Sequence, residues 1–209
     1  MVGRALLFVL LGSLAVSCSG SGGNETARAD LLLESDDVRG VAGLENAVAQ
    51  ELEKDTIASY LADGVEGPCG GRISGIAADR AFGRSFSDES GGAVVVELIA
   101  DAPDAKVSDV AELEELLGEG CDVQEGLPGD GTTELRAEVS PMDPGDAPCD
   151  SVGWISAVTG LGDAQFAAAS LCVTNGLVLL VEGSGRDESA DDLTRGVFVA
   201  AADKLASAD

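Results

Sequence analysis

The sequence predicts a single α+β domain: a mainly antiparallel sheet with helices packed on one face, held by two disulfides. Three observations carry that expectation. Asn175-Gly176 lies between Leu171-Cys172-Val173 and Leu177-Val178-Leu179-Leu180-Val181. An Asn-Gly pair between apolar runs signals a two-residue hairpin whose turn needs φ > 0 twice. Patterns along the chain run helices, strand, helix, several strands and a closing helix, an order of segregated elements rather than alternating β-α-β units. Finally, Cys69, Cys121, Cys149 and Cys172 lie in the body of the chain. Four cysteines in an exported protein read as two disulfides, in any of three pairings.

Export is written in the first residues. Arg4 is the only charge in Met1–Ser17, followed by an apolar run from Ala5 to about Val16 and the small-residue stretch Leu14-Ala15-Val16-Ser17 before Cys18. A basic start, a short apolar segment and small residues at a break describe a signal peptide. A cysteine directly after them resembles the lipobox of bacterial lipoproteins, with Ala15 where Leu is usual. The expectation is a lipoprotein signal peptide over 1–17, with Cys18 as the lipidated first residue of the mature protein. Spanning a bilayer takes about 20 apolar residues, and this run is interrupted by Gly12-Ser13. The rival reading is a secreted protein cut near Ser17. Residues 18–29 then form a Gly/Ser-rich tether, with a reach of about 19 Å for about twelve residues, and 30–209 form the extracytoplasmic domain.

Within the body, Ala29-Asp30-Leu31-Leu32-Leu33 begins the fold, and Ser35 reads as an N-cap with Asp36 and Asp37 in the first helical turn. A helix is expected over Leu44 to Leu61, with Val48, Leu52, Ile57 and Leu61 on one stripe. Gly64 to Gly75, with Pro68-Cys69-Gly70-Gly71, reads as a loop pinned by its cysteine. Ala93 to Ile99 is the strongest strand, and Val107 to Leu117 follows as a helix with Val110, Leu113, Leu116 and Leu117 on one side. Glu134 to Val139 alternates as a strand with one wet face, on which Arg136 reads as a cross-strand charge partner. Pro141 to Pro148 is a connection, and Val152 to Val158 is a strand on which Trp154 reads as core. In the hairpin register Cys172 lies opposite Leu179. A last helix starts at Ser189 or Asp191 and runs through Leu205, with Leu193, Val197, Ala201 and Leu205 on a stripe.

Composition removes whole classes of function. The net charge is −26, and losing Arg4 with the signal peptide leaves −27, which argues against nucleic acid, whose binding needs clustered Lys and Arg. Aromatics make up 3 % of the chain, too few for stacking platforms. There is no histidine, which excludes the Ser-His-Asp triad and His-based metal motifs. No nucleophile elbow, dinucleotide fingerprint or phosphate loop is present. No two cysteines are spaced for zinc, and no acidic loop has EF-hand spacing. Asp143-Pro144-Gly145-Asp146 and Asp130-Gly131 read as turns as readily as calcium loops. Lys54, Lys106 and Lys204 read as solvated surface lysines. No enzyme activity, cofactor or metal is therefore expected.

The ensemble resembles the PknH-like extracellular sensor domain, found outside some actinobacterial Ser/Thr kinases and as free-standing lipoproteins. The features that carry it are Leu31–Val38 (Leu-Leu-Leu-x-x-Asp-Asp-Val) entering a helix, four spaced cysteines with a Val-rich strand and helix between the first two, and the closing Cys-strand, hairpin, apolar strand and helix. It covers about Ala29 to Ala206. The resemblance implies a single α+β domain with a cleft, an undefined extracellular ligand, and sequential disulfides, Cys69 with Cys121 and Cys149 with Cys172. The expected protein is lipid-anchored through Cys18 to the outer face of the cell membrane and binds a ligand without catalysis. The binding residues are unknown, and the expected cleft lies on the helix-free sheet face, lined by small aliphatic side chains. Its ligand is expected to be uncharged or cationic. The alternative is an envelope protein acting through protein partners.

Overall fold

Eight strands hydrogen-bond into one sheet in the order β1-β4-β5-β10-β9-β8-β7-β6, every neighbouring pair antiparallel. The computed structural model describes residues 29–61, 65–66, 69, 71–73, 75–87, 94–118, 121–126, 134–159, 165–185 and 189–208. Cys18 and its flanks, Asp130-Gly131 and the side chain of Arg136 lie outside the described parts. The elements are α1 (Ser35–Val38), β1 (Val48–Glu51), α2 (Lys54–Leu61), β2 (Val65–Glu66), β3 (Arg72–Ile73), β4 (Ala77–Ser87), β5 (Val94–Asp101), α3 (Val107–Gly118), β6 (Cys121–Gly126), β7 (Glu134–Met142), β8 (Asp150–Thr159), β9 (Gln165–Thr174), β10 (Leu177–Gly185) and α4 (Ser189–Ser207). The short β2 and β3 pair separately. No helix among the described residues is long and apolar enough to cross a membrane.

The α+β class and the antiparallel sheet are as expected, and so is the hairpin. Asn175 and Gly176 have φ of 47° and 73°, the left-handed pair that such a turn requires, and Cys172 pairs with Leu179. The placement of helices on one face is corrected: they lie on both. On one face α2 packs against β4, and α3 against β7, β8, β9 and β3. Their Ile57, Leu61, Val110, Leu113 and Leu117 join Leu98, Leu180, Leu171 and Trp154 in one core. On the other, α4 packs against β10, β9 and β5, with α1 beside it, and Phe198, Val197 and Leu205 join Phe86, Ile99, Val181, Leu32 and Leu33 in a second core. The reason is the strands' own composition. In β5 every residue from Val95 to Asp101 is buried, so both faces carry apolar side chains and both need cover. Close approach of α4 rests on Gly183, where a Cβ would collide with Thr194 Oγ1.

Each core has its own covalent staple, in the sequential pairing. Cys69 joins Cys121 with Cα atoms 5.6 Å apart, on the α2–α3 side. Cys149 joins Cys172 at 6.1 Å, on the α4 side.

Three local expectations are corrected. The helix expected over Leu44 to Leu61 is present only as α2. Val48 to Glu51 is instead an edge strand, because Ala49 N–H donates to Ser35 Oγ and Leu52 N–H to the Gly83 carbonyl, both at 2.9 Å. Val48 is 54 % exposed and so never belonged to an apolar stripe. Ser35 is the first helical residue rather than the cap. Glu34 is the N-cap, and its N–H donates to Asp37 Oδ2 at 2.8 Å. The Gly64 to Gly75 loop contains β2 and β3. Strands β4 and β6 had no counterpart in the sequence reading.

Candidate functional site

Two glutamates on central strands carry the polar chemistry of the sheet, one on each face. Glu97 sits in the middle of β5 and is fully buried on the α4 face. Its Oε2 accepts the Leu33 N–H at 2.9 Å. Arg84, its register partner on β4, donates to the Leu33 carbonyl at 2.7 Å. Lys204 of α4 donates to the Leu32 carbonyl at 2.7 Å and to Asp37 at 2.9 Å, so the expectation of a solvated lysine is corrected. Arg84 also pairs with Glu34 at 2.6 Å. Charged groups from two strands and a helix thus grip the main chain of the N-terminal segment, supplying backbone partners where no strand does. Burial pushes the Glu97 carboxyl up to about 7, against the opposing pull of the Leu33 N–H, Lys204 and Arg84. The Asp37 carboxyl is held below its ordinary value, first by the Glu34 N–H and then by Lys204. Glu97 and Arg84 are buried at the centre of this cluster, and its work is structural.

Glu182 is different. It lies on β10 on the opposite face, in the same parity as Val178 and Leu180 of the α2–α3 core. It is only half-buried, and it has no hydrogen-bond or ionic partner among the described residues. Burial alone pushes its carboxyl up to about 7: protein surrounds the group while leaving a path to solvent. Antiparallel register sets its neighbours. Across the sheet runs the row Ser85, Val96, Glu182, Ala169, Trp154. The next row outward is Ser87, Val94, Ser184, Ala167, Ser156. One row inward stand Gly83, Leu98, Leu180, Leu171 and Val152, almost wholly buried. Moving outward, the floor therefore changes from large aliphatic to small and hydroxylated residues. Ser85, Ser87, Val94, Glu182 and Ala167 are half-buried and Ser184 is exposed.

This open end of the α2–α3 face is the candidate binding floor. It lies on a helix-bearing face and is lined largely by serines, whereas the cleft was expected on a helix-free face with small aliphatic side chains, and Trp154 stands in the core beside it. Trp154 is 7 % exposed and belongs to the core, as expected. A carboxyl raised by burial yet reachable from solvent is a functional-site candidate. Glu182 itself was missed in the sequence. The signal available was alternation: Val178, Leu180 and Glu182 share one face, so the strand continues past Val181 into a charge.

Other candidates are engaged or small. An open depression of about 560 Å³ is lined by Ser35, Arg39, Glu45, Asn46, Ala47 and Val48. There Ser35 Oγ accepts from Ala49, Glu45 from Gly43 N–H, and Arg39 pairs with Asp36. A second, of about 120 Å³, lies near Cys149 and is below the usual size for a drug-sized ligand. Asp143 Oδ1 accepts the Gly145 N–H at 2.9 Å, which is the turn, one of the two readings open for that stretch. Among the described residues no three His, Cys, Asp or Glu side chains cluster as metal ligands.

No family model matches the chain, and no characterised protein matches it in sequence. In structure it is similar to the extracellular domain of PknH from Mycobacterium tuberculosis, with a TM-score of 0.56 and 14 % identity, over 86 % of this chain and 94 % of that one. At that identity the likeness is one of fold, and it is the fold that the sequence resemblance implied.

Proposed function

We propose that this chain is an extracytoplasmic lipoprotein, anchored through lipid on Cys18, whose domain binds a small ligand without catalysing its conversion. The observation that carries the reading is Glu182: a partnerless carboxyl on a solvent-open floor. The shared fold with an extracellular domain supports an extracytoplasmic location. The absence of histidine from the chain and the pairing of four of its five cysteines remove the Ser-His and Cys-His nucleophile–base pairs, which supports binding rather than chemistry. A lipid anchor reaches only the outer leaflet, so a domain held by one passes its signal through a partner, and sensing here means presenting a bound or unbound surface.

Two experiments test the reading. Cys18→Ala should release the protein to the medium or leave an unprocessed precursor; unchanged partitioning into a detergent phase would refute the anchor. A thermal-shift screen of envelope metabolites and glycan fragments should yield ligands whose effect is lost in Glu182→Ala. The alternative, action through protein contacts, is favoured by one observation: β1 is an edge strand with Val48 exposed, and edges invite pairing. A screen with no ligand, together with one dominant crosslinked partner, would decide for it.

A further inference from the structure

β1 is an outer strand of the sheet, paired on one side only, with β4. Leu52 N–H donates to the Gly83 carbonyl, which continues the Glu51–Arg84 register. Inward and outward backbone groups alternate along an antiparallel strand, so Val48 and Gln50 face β4 as Leu52 does, and Ala49 and Glu51 face outward. Ser35 Oγ takes the Ala49 N–H at 2.9 Å. The Ala49 carbonyl and the N–H and carbonyl of Glu51 remain, three neighbouring groups with no partner among the described residues. This stretch stands in solvent: Val48, Gln50 and Glu51 are exposed, and the Glu51 side chain is 81 % so. Its charge is one-sided. Buried Arg84 lies 2.6 Å from Glu34 and 3.8 Å from Glu51, one guanidinium against two exposed carboxylates. Glu45 precedes the strand and Glu53 and Asp55 follow it, all exposed, with Lys54 as the exposed base among them.

We infer that this edge docks a short extended segment of a protein partner, added as an antiparallel strand opposite Ala49–Glu51 and carrying Lys or Arg alternating with β-branched residues. The antiparallel sense continues that of every neighbouring pair in the sheet. The segment's residue opposite Glu51 accepts the Glu51 N–H and donates to its carbonyl, and the residue opposite Ala49 donates to the Ala49 carbonyl. The Ser35 hydroxyl ends the ladder there, so the contact is short and reversible. Cross-strand neighbours share a face, which sets the cation beside the Glu51 carboxylate and the β-branched side chain beside exposed Val48. Strand addition draws affinity from the main chain and specificity from alternate side chains. A second copy fits poorly, because it brings its own Glu51 and another net charge of −26 to the same edge. The inference goes beyond the ligand-binding reading and supplies the contact through which an anchored domain signals.

The test titrates the full chain, lacking only its lipid, with the acetylated and amidated peptide Val-Lys-Val-Lys-Val-Lys. Calorimetry follows binding, and amide hydrogen exchange follows the Glu51 N–H. Two controls carry the same charge and the same number of added methyls: one is N-methylated at every Lys, the other at every Val. Lysines opposite Glu51 and Ala49 point their N–H groups at β1, so methylating them should weaken binding at least about tenfold, while methylating the valines should change it less than about twofold. Exchange at Glu51 should slow at least about tenfold with the unmodified peptide. Glu51→Gln should weaken binding about threefold, and Glu115→Gln, an exposed acid on α3, should leave it unchanged. Equal binding of the two methylated peptides, or unaltered exchange at Glu51, would reduce the effect to charge attraction and overturn the inference. So would failure of the unmodified peptide to saturate. Exchange at Glu51 already slow without peptide, and slower as protein concentration rises, would assign the edge to a second copy and overturn it as well. Each of these outcomes leaves the ligand-binding reading to the thermal-shift screen, which alone refutes it. Near-UV circular dichroism of each variant confirms folding.

Discussion

The two faces of the sheet each hold a glutamate whose carboxyl is pushed up to about 7 by burial, yet they have opposite fates. On the α4 face, Glu97 is closed in beneath the N-terminal segment, with one oxygen on the Leu33 N–H and the Arg84 and Lys204 charges nearby. On the α2–α3 face, Glu182 has no described partner and keeps a route to water. The same titration shift therefore has two meanings. Where hydrogen bonds from the chain meet the carboxyl, it organises the fold. Where no described group meets it, it is the carboxyl on which the proposed ligand site rests.

That contrast can be broken or sharpened by experiment. The largest effect is expected from the covalent staple of the open face. The Cys69–Cys121 bridge spans 52 residues, and replacing both cysteines by serine should cost about 4 kcal/mol in the chain-entropy model. Chemical denaturation should show this as a lower midpoint, and a loss below about 1 kcal/mol would mean that the open face holds itself together without it. Next comes Glu97→Ala, which leaves the buried Leu33 N–H without an acceptor and opens a void. A loss of about 3 kcal/mol is expected, whereas Glu182→Ala should change stability by less than about 0.5 kcal/mol at acid pH. Equal losses at the two sites would erase the distinction between them.

A third effect is the pH profile. Both glutamates bind protons more tightly folded than unfolded, so between the ordinary carboxylate range and about 7 the folded state carries more protons. Stability must then fall as pH rises through that window. For Glu97 alone the contribution is on the order of 3 kcal/mol. Asp37 works in the opposite sense, its stabilisation being lost only as pH falls below the ordinary aspartate range. The melting temperature should therefore peak near about pH 5 rather than at neutrality. Calorimetry of Glu97→Gln should show a clearly flatter profile and greater stability than the parent above about pH 7; a profile as steep as the parent's would mean that the charge of Glu97 is not what strains the folded state. The smallest effect is spectroscopic. Trp154 emission should titrate with a midpoint near 7, and Glu182→Gln should abolish that transition while Glu97→Gln leaves it in place.

Much of the architecture was legible because it depends on local chemistry. Asn175-Gly176 dictated its turn and thereby the pairing of Cys172 with Leu179, and the Leu193, Val197, Ala201 and Leu205 stripe dictated the buried side of α4. What escaped depends on contacts distant in sequence. Strand β4 carries Arg80, Gly83 and Arg84, poor strand formers by composition, and a bulge between Ala77 and Ala81. It is a strand because β1 and β5 flank it. The signal was the alternation of Phe82, Arg84 and Phe86 on one face. The site escaped for a related reason. Glu97 and Glu182 are ordinary acids among 38 until register sets one beneath the N-terminal segment and the other beside Ala169. Helices on both faces were foreshadowed by β5, whose residues from Val94 to Ala100 are apolar on both sides except at Glu97, since a strand with no wet side needs cover twice.

The bond from Lys204 Nζ to the Leu32 carbonyl, 2.7 Å long and bridging 172 positions, brings the entry and the exit of the domain to one point. Geometrically the domain is a closed ring with a single doorway. A short peptide joining the two sides of that doorway would add little strain, and new ends could be opened at the exposed Asn175-Gly176 tip, where surface turns tolerate cuts. By the same token the whole unit could be carried as a cassette in a surface loop of a host protein, entering and leaving through adjacent positions without prising the host apart.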